Sequence, residues 1–396
     1  MSSDPMGGEG CRLFTGRFLA AAASCFFMTV VFFAHFTAIP SYSISVMGTD
    51  GTVAGFVAGV FILGDIAGRI IFGNRMWRYG PNRICVLSMV AGTGISVLYL
   101  LTTDVSLTCL IGFIHGFTYG TAELAVFARV TGDLPPEVRG KGIGYFTLSY
   151  SLAAAVGPFL SIHLVNTGEF GTVMWLGLIA SAASAICAVG MGRDGIPKTV
   201  RTAASRPFPV MLKVLPISMV MVVFLTSYSG VLTFIAPYGI EIGMETYTSV
   251  FYIFLSAATI VSRVLIMSRF DTAGHDRILL PMFIIYATGM VMLGLAPTGY
   301  ALLISAFAIG LALATVSAGS QVVAVEGLDL QDQGVALATV QIFIDLSFII
   351  GPVLNGTVSG SVGYSECYML MAGVGLISML IYTLTCSDFA RRAGRE

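Results

Sequence analysis

The sequence has few charged residues for its length. Only 10% of its 396 residues are Asp, Glu, Lys or Arg, against about 25% in an ordinary soluble domain. A chain with so little charge cannot cover a soluble core of this size with polar side chains. The mean hydropathy of +0.89 excludes that class and indicates an integral membrane protein.

The apolar runs also lack the in-and-out alternation over about 10 residues that strands of membrane β-barrels show. Instead, runs long enough to cross about 30 Å of hydrocarbon as a helix follow one another along the chain. We therefore predict an all-α integral membrane fold with twelve transmembrane helices. The predicted spans are 17–46, 53–76, 82–102, 105–130, 139–164, 169–192, 211–238, 247–270, 277–296, 299–325, 334–358 and 363–386.

Motifs of enzymes and metal centres are missing as well. The chain has no HExxH and no GxSxG, and its 7 cysteines form no CxxC. The membrane histidines fall on different predicted helices, so they do not form a local ligand set. We therefore expect no enzyme activity, no metal and no cofactor.

Positive charge is missing from every second loop. Of the 20 Lys and Arg, all but Arg69 and Arg263 fall on one side of the predicted helices; we call this side the basic face and the other side the acidic face. The positive-inside rule predicts that the basic face is cytoplasmic, with both termini inside a multi-pass protein of the cell membrane. We expect the lipid bilayer, and no nucleic acid, as a partner.

The second half of the chain repeats landmarks of the first at one fixed offset, which we call the repeat offset. It aligns Arg69 with Arg263 and the turn RYGPNRI with TAGHDRI. It also aligns Gly140 with Gly334 and Gly157-Pro158 with Gly351-Pro352. Four matches at one offset indicate a parallel duplication, with a substrate site between the halves near the bilayer midplane. The predicted division is a cytoplasmic tail 1–16, a six-helix bundle 17–192, a cytoplasmic linker 193–210, a second bundle 211–386 and a tail 387–396.

The two halves, the tight turns after predicted spans 2 and 8, and PPEVRGKGIGYFTLSYSLAAAVGP entering span 5 resemble the major facilitator superfamily along essentially the full chain. The loop signature of that family, G-x-x-x-D-R-x-G-R-[RK], is matched in part by GNRMWRYGPNR and MSRFDTAGHDR. The aspartate position of the first copy holds Trp77. The matching residues are Gly73, Arg78 and Gly80 in the first half and Asp271 and Gly274 in the second.

This resemblance implies a transporter that moves a small organic molecule by alternating access, acting as a monomer. Some exporters of the superfamily carry an arginine four residues before the first glycine of this loop signature. Here Arg69 stands four residues before Gly73. The resemblance therefore favours proton-coupled efflux of a drug or metabolite, with protons as the second partner of an antiporter. Gly112 stands where drug-proton antiporters often have a further arginine. A proton-coupled metabolite importer and a membrane sensor without transport stay open as alternatives.

Ionisable residues inside the predicted spans are the candidates for coupling, because each costs about 2.5–3.5 kcal/mol on insertion scales. Asp65 and Asp345 both lie roughly 16 Å from the basic face at about 1.5 Å per residue. Spans 2 and 11 are neighbours in the family fold, so two carboxylates there cannot both ionise cheaply, and we predict one as the proton carrier. Arg69 can pair with Asp65 one turn away or with Glu123 on span 4. A structural ion pair that locks spans 2, 4 and 11 is the alternative.

Arg263 has no obvious carboxylate, because Ser317 aligns with Glu123. We expect it to bond carbonyl groups near span 5 or to attract an anionic substrate group. His35 and His115 lie on spans 1 and 4, which line the central cavity in the family, and either relay protons, contact substrate, or bond a neighbouring helix. Aromatic residues that can stack on substrate in that cavity, or else pack the helices, are Phe36, Tyr119, Tyr228, Phe234 and Phe343.

Overall fold

The computed structural model describes residues 14–73, 76–134, 139–167, 170–192, 211–267, 274–328 and 330–387. In these residues it has twelve long helices and no strand, which confirms the predicted fold class. Numbered in chain order, the helices are α1 Gly16–Ser45, α2 Gly51–Gly73, α3 Pro81–Leu98, α4 Val105–Asp133, α5 Arg139–Asn166, α6 Phe170–Gly190, α7 Leu215–Glu241, α8 Glu245–Val261, α9 His275–Gly294, α10 Gly299–Val325, α11 Leu330–Val362 and α12 Tyr364–Thr385.

Helix length and composition identify the membrane spans. Within the described residues, eleven helices are long and apolar enough to cross a membrane. The remaining one, α8, is shorter as an α-helix and continues as a π-helical turn, Ser262–Ile266. Apolar side chains such as Ile186, 73% exposed, and Leu384, 68% exposed, cover the outside of the bundle. Such a surface is stable against lipid tails, because a membrane helix bonds its backbone polar groups internally.

The packing of the helices repeats the duplication seen in the sequence. In the first half α1 packs on α5 and α6, α2 packs on α4, and α3 packs on α4 and α6. In the second half α7 packs on α11 and α12, α8 on α10, and α9 on α10 and α12. Each contact of the first half therefore recurs six helices later. The result is two pseudo-symmetric six-helix bundles.

Close glycine contacts show the same duplication at the level of single residues. A Cβ atom added to Gly116 on α4 would overlap the carbonyl oxygen of Phe61 on α2. A Cβ atom added to Gly310 on α10 would overlap the carbonyl oxygen of Leu255 on α8. The repeat offset relates both glycines and both carbonyls. The absence of a side chain lets the two backbones meet in each half, as small residues do between membrane helices.

Two glycines of the family loop signature have equivalent backbone roles. Gly80, directly before α3, has φ 96°, and Gly274, directly before α9, has φ 85°. Side chains disfavour this region of φ, so glycine is required where the chain turns into the next helix. Pro81 then occupies the first turn of α3, where its missing N–H has no intrahelical partner to lose.

The halves meet along two seams, α2 against α11 and α5 against α8, and along a contact between α1 and α7. At the acidic-face end of the first seam, the hydroxyl groups of Thr52 and Thr357 lie 3.1 Å apart. At the same end of the second seam, the Asn166 side-chain amide donates to the carbonyl of Glu245 at 2.7 Å and to the Ser249 hydroxyl at 3.1 Å. The predicted linker 193–210 lies outside the described residues, as do most of the predicted tails.

Candidate functional site

Arg69 of α2 lies at the centre of a cluster of three carboxylates. Its Nε is 2.9 Å from Oδ1 of Asp65, one helical turn away. Its Nη1 is 3.0 Å from Oδ2 of Asp345 on α11, and its Nη2 contacts Glu123 on α4. We call these four residues the Arg69 cluster. The structure thus brings together four of the five predicted coupling residues, and it does so across the seam between the halves.

Neighbouring polar groups hold the two outer carboxylates in place. The hydroxyl of Tyr150 on α5 donates to Oε1 of Glu123 at 2.8 Å. The side-chain amide of Gln341 donates to Oδ1 of Asp345 at 3.0 Å. The sequence interpretation did not include either residue. Gln341 lies four residues before Asp345 on the same helix, and this spacing is a local signal that could have identified it.

Glycine residues without side chains make room for the cluster between α2 and α4. A Cβ atom added to Gly120 would overlap Oδ1 and the carbonyl of Asp65. A Cβ atom added to Gly68 would likewise overlap the carbonyl of Phe117. The glycine stripes of α2 and α4 therefore allow the helices to approach until Arg69 and Glu123 are in contact.

The cluster has a buried end and an open end. The exposed fraction of the side chain is 2% for Asp65, 10% for Asp345, 17% for Glu123 and 23% for Arg69. Three carboxylates face a single guanidinium, so the cluster has excess negative charge when all four groups are ionised. Burying uncompensated charge is costly, and a bound proton removes part of that cost.

The two histidines lie in a cavity within the first half, instead of in the predicted central cavity between the halves. The cavity has a volume of about 30 Å³ and is lined by residues of α1, α4 and α6 and by the end of α3. The hydroxyl of Tyr99 is 3.4 Å from Nδ1 of His35, and that of Ser96 is 3.4 Å from Nε2 of His115. Within the described residues, the second nitrogen of each ring has no hydrogen-bond partner. Each histidine therefore lies next to one hydroxyl group from the end of α3 or the turn that follows it.

The predicted substrate-contacting aromatics are distributed over several packing environments. The Phe36 ring lies 5.9 Å from Phe348 of α11, so it reaches the seam between the halves. Tyr119 lies 5.4 Å from Phe32 in a stacked pair. Phe234 is buried against Tyr364 within the second half, at 5.9 Å, which favours a packing role. Tyr228 is buried on α7, and Phe343 is half-buried on α11.

The remaining predicted residues belong to the basic-face turns and to α8. Gly73 is the last residue of α2, and Arg78 belongs to a single helical turn, Met76–Tyr79. Gly80 and Gly274 have the backbone roles described above, and Asp271 lies outside the described residues. Arg263 lies in the π-helical turn at the end of α8, is exposed, and does not join the Arg69 cluster.

Two six-helix bundles related by a parallel repeat, with a charged cluster across their seam, define a membrane transporter and not an enzyme. The model of the Major Facilitator Superfamily matches residues 18–299 and 256–395. The chain belongs to this superfamily.

Relatives and solved structures agree with this assignment. The MFS-type transporter YhhS of Escherichia coli, described as uncharacterized, is 25% identical over 365 residues, which cover 87% of this chain and 86% of YhhS. The crystal structure of a D-xylose-proton symporter superposes with a TM-score of 0.76 at 14% identity, covering 94% of this chain and 98% of the symporter. The crystal structure of the nucleoside transporter NupG gives a TM-score of 0.72 at 13% identity, covering 93% of this chain and 99% of NupG. These structural likenesses show the fold.

Proposed function

We propose that the protein is a proton-coupled exporter of a small organic molecule, acting as a monomer in the cell membrane with both termini in the cytoplasm. The observation that supports coupling most directly is that Arg69 contacts carboxylates of its own half and Asp345 of the other half at once. An ion pair across a seam changes when the halves move, and alternating access is such a movement.

The charge balance of the Arg69 cluster supports the choice of the proton as the coupling ion. With Asp345 in place, three carboxylates share one guanidinium, and protonation of one of them lowers the repulsion among them. When α2 and α11 separate, Arg69 keeps Asp65 and Glu123, which belong to its own half. Asp345 then loses its cation and is expected to take up a proton in order to avoid an isolated buried charge.

Asp345 is therefore the proposed proton carrier, with Asp65 as the second candidate from the sequence. The side chain of Asp345 is more exposed than that of Asp65, 10% against 2%, which favours Asp345 as the group that exchanges a proton. Gln341 donates to Asp345 from the same helix, so this hydrogen bond does not depend on the contact between the halves. The export direction is supported by the spacing of Arg69 and Gly73, which resembles that of exporters in the superfamily.

The test is a transport assay in inside-out vesicles that contain the full chain. A panel of labelled small organic molecules is offered while the vesicle lumen is acidified, and a trapped pH-sensitive dye reports proton release. An exporter that exchanges substrate for protons should accumulate its substrate only with the acid lumen. Asp345→Asn should reduce this gradient-driven accumulation at least about tenfold, since its side chain can no longer exchange a proton.

Asp332→Asn is the matched control, because Asp332 is an exposed carboxylate in the first turn of the same helix. It should leave the gradient response unchanged. A gradient response that survives in both Asp65→Asn and Asp345→Asn would contradict the proton-carrier assignment. Accumulation that requires an alkaline lumen would instead identify import and contradict the direction.

A further inference from the structure

The surroundings of the two repeat-related arginines differ in one systematic way. At the repeat offset, Arg263 of the second half corresponds to Arg69 of the first. Each of the three carboxylates around Arg69 corresponds to a hydroxyl side chain. The corresponding pairs are Asp65 with Thr259, Glu123 with Ser317, and Asp345 with Ser151.

Contacts next to the two arginines follow the same correspondence. Ser262, adjacent to Arg263, bonds the hydroxyl of Thr315 on α10 at 2.7 Å. Their counterparts Gly68 and Thr121 are neighbours between α2 and α4. The helices that carry the hydroxyl residues also pack as their counterparts do, since α8 contacts α10 within its half and α5 across the seam.

Two of the three corresponding hydroxyl groups are available in the described residues. There, Arg263 forms no ion pair with a carboxylate, and the half-buried Ser151 and Ser317 make no side-chain hydrogen bond. Thr259 donates to the carbonyl of Leu255 at 3.1 Å. Arg263 itself lies in a π-helical turn, a local distortion that is frequent at functional sites.

A guanidinium inside a membrane span is stabilised by an opposite charge, and neutral hydroxyl groups carry none. Together, one guanidinium and nearby hydroxyl groups are the donor set that binds carboxylate, phosphate or sulfonate oxygens. In the first half the protein supplies the anionic groups itself. In the second half the corresponding positions carry neutral hydroxyl groups, so a negative charge at these positions comes from another molecule.

We propose that Arg263, with Ser151 and Ser317, forms an anion-binding site at the α5/α8 seam, and that the transported molecule is an organic anion. This inference rests on the proposed transport function and names the chemical class of its substrate. Ser151 belongs to the first half and Arg263 to the second. A bound anion therefore joins the halves at this seam, as Asp345 joins them through Arg69 at the other.

The acidic group belongs to the substrate or, as the second source of the same chemistry, to an anionic lipid headgroup. Arg263 is exposed near the basic-face end of α8, so both a soluble substrate and a lipid headgroup can reach it. The test distinguishes these two sources. Purified full chain in detergent is heated with a panel of carboxylates, phosphate esters and sulfonates. Each is paired with a neutral amide or alcohol of the same carbon skeleton, and the shift of the unfolding midpoint gives the apparent affinity.

At least one anion should bind wild type more tightly than its neutral partner, and Arg263→Gln should weaken that binding at least about tenfold. Ser317→Glu introduces the carboxylate that Glu123 supplies in the first half and should weaken anion binding to a similar extent. Arg263→Lys should retain part of the anion affinity. Arg277→Gln is the matched control, since Arg277 is an exposed arginine at the start of α9 near the same face. It should bind as wild type does.

The lipid arm uses bilayers of phosphatidylcholine with and without phosphatidylglycerol. If stabilisation through Arg263 appears only with phosphatidylglycerol and no soluble anion binds, the substrate assignment is overturned. Equal loss in Arg263→Gln and Arg277→Gln, or equal binding of anions and neutral partners, also overturns it. These measurements need no pH gradient, so Asp345→Asn should still bind the anion even though its coupling is lost. Failure of this inference is therefore distinguishable from failure of the proposed function.

Discussion

The first and second halves of the molecule share their helix contacts but hold different charges at the same place. The contacts of α2 with α4 recur between α8 and α10, down to the glycines that touch a backbone carbonyl, Gly116 and Gly310. The side chains at and around the two corresponding arginines, however, differ between the halves. Arg69 is surrounded by three carboxylates, and the positions that correspond to them at the repeat offset carry hydroxyl groups.

Shared glycine contacts and different arginine partners show that the requirements of helix packing are separate from those of charge pairing. A glycine at a helix crossing is constrained by sterics, so its replacement should disturb helix packing in the same way in either half. A charged group inside a span has no packing requirement of that kind, so its partners can change from carboxylate to hydroxyl while the backbone stays the same. The comparison therefore predicts unequal effects at the arginines and equal effects at the glycines.

The largest expected effect comes from Arg69→Gln. The change leaves three carboxylates without their cation, two of them nearly fully buried, and removing one partner of a buried ion pair costs about 3–5 kcal/mol. We expect a large loss in the free energy of unfolding in mixed micelles and loss of gradient-driven transport. Arg263→Gln in the second half removes a cation that has no carboxylate partner among the described residues, so it should change stability by less than about 1 kcal/mol.

Equal destabilisation by Arg69→Gln and Arg263→Gln would contradict the claim that the two arginines have different partners. A further variant sharpens it, because Arg69→Gln combined with Asp345→Asn removes one of the stranded carboxylates. If repulsion among the carboxylates causes the loss, the double variant should be more stable than Arg69→Gln alone. A double variant that is less stable would indicate that packing of the Arg69 side chain, and not charge, dominates.

An intermediate effect is expected at the two glycine crossings. Gly116→Ala and Gly310→Ala each place a methyl group against a backbone carbonyl of the neighbouring helix, and such overpacking costs about 1–3 kcal/mol. Measured by thermal unfolding, the two variants should lose similar stability. Gly94→Ala on α3 is the control, since its Cβ atom meets open space; it should be neutral or slightly stabilising. Losses that differ strongly between the halves would contradict the shared packing.

Much of the fold was predictable from the sequence because a membrane span must satisfy its backbone hydrogen bonds within one helix. Run lengths therefore locate helices, and the repeat offset relates the halves. The pairing of Asp65 with Arg69 follows from their spacing of one turn. The hydrogen bond from Tyr150 to Glu123 joins side chains on different helices that are far apart in the chain, so it has no local signal.

The positions of the histidines could not be predicted for a different reason. Counting residues gives the depth of a side chain along a helix, since each residue adds about 1.5 Å. It does not give the direction in which the side chain points around the helix when most neighbours are apolar. His35 and His115 line one cavity, and the residues that line it all belong to the first half. Their predicted roles in transport stay predictions.

The smallest expected effect is that of His115→Ile. At the repeat offset His115 corresponds to Ile309, which is fully buried in the second half. The variant removes an imidazole with one long hydrogen bond and one unpartnered nitrogen, and Ser96 keeps its bond to the carbonyl of Gly92. The free energy of unfolding should change by less than about 1 kcal/mol, with transport retained. The reverse change, Ile309→His, buries an imidazole among apolar side chains and should cost about 1–3 kcal/mol. Loss of transport in a stably folded His115→Ile protein would show instead that the first-half cavity takes part in the transport cycle.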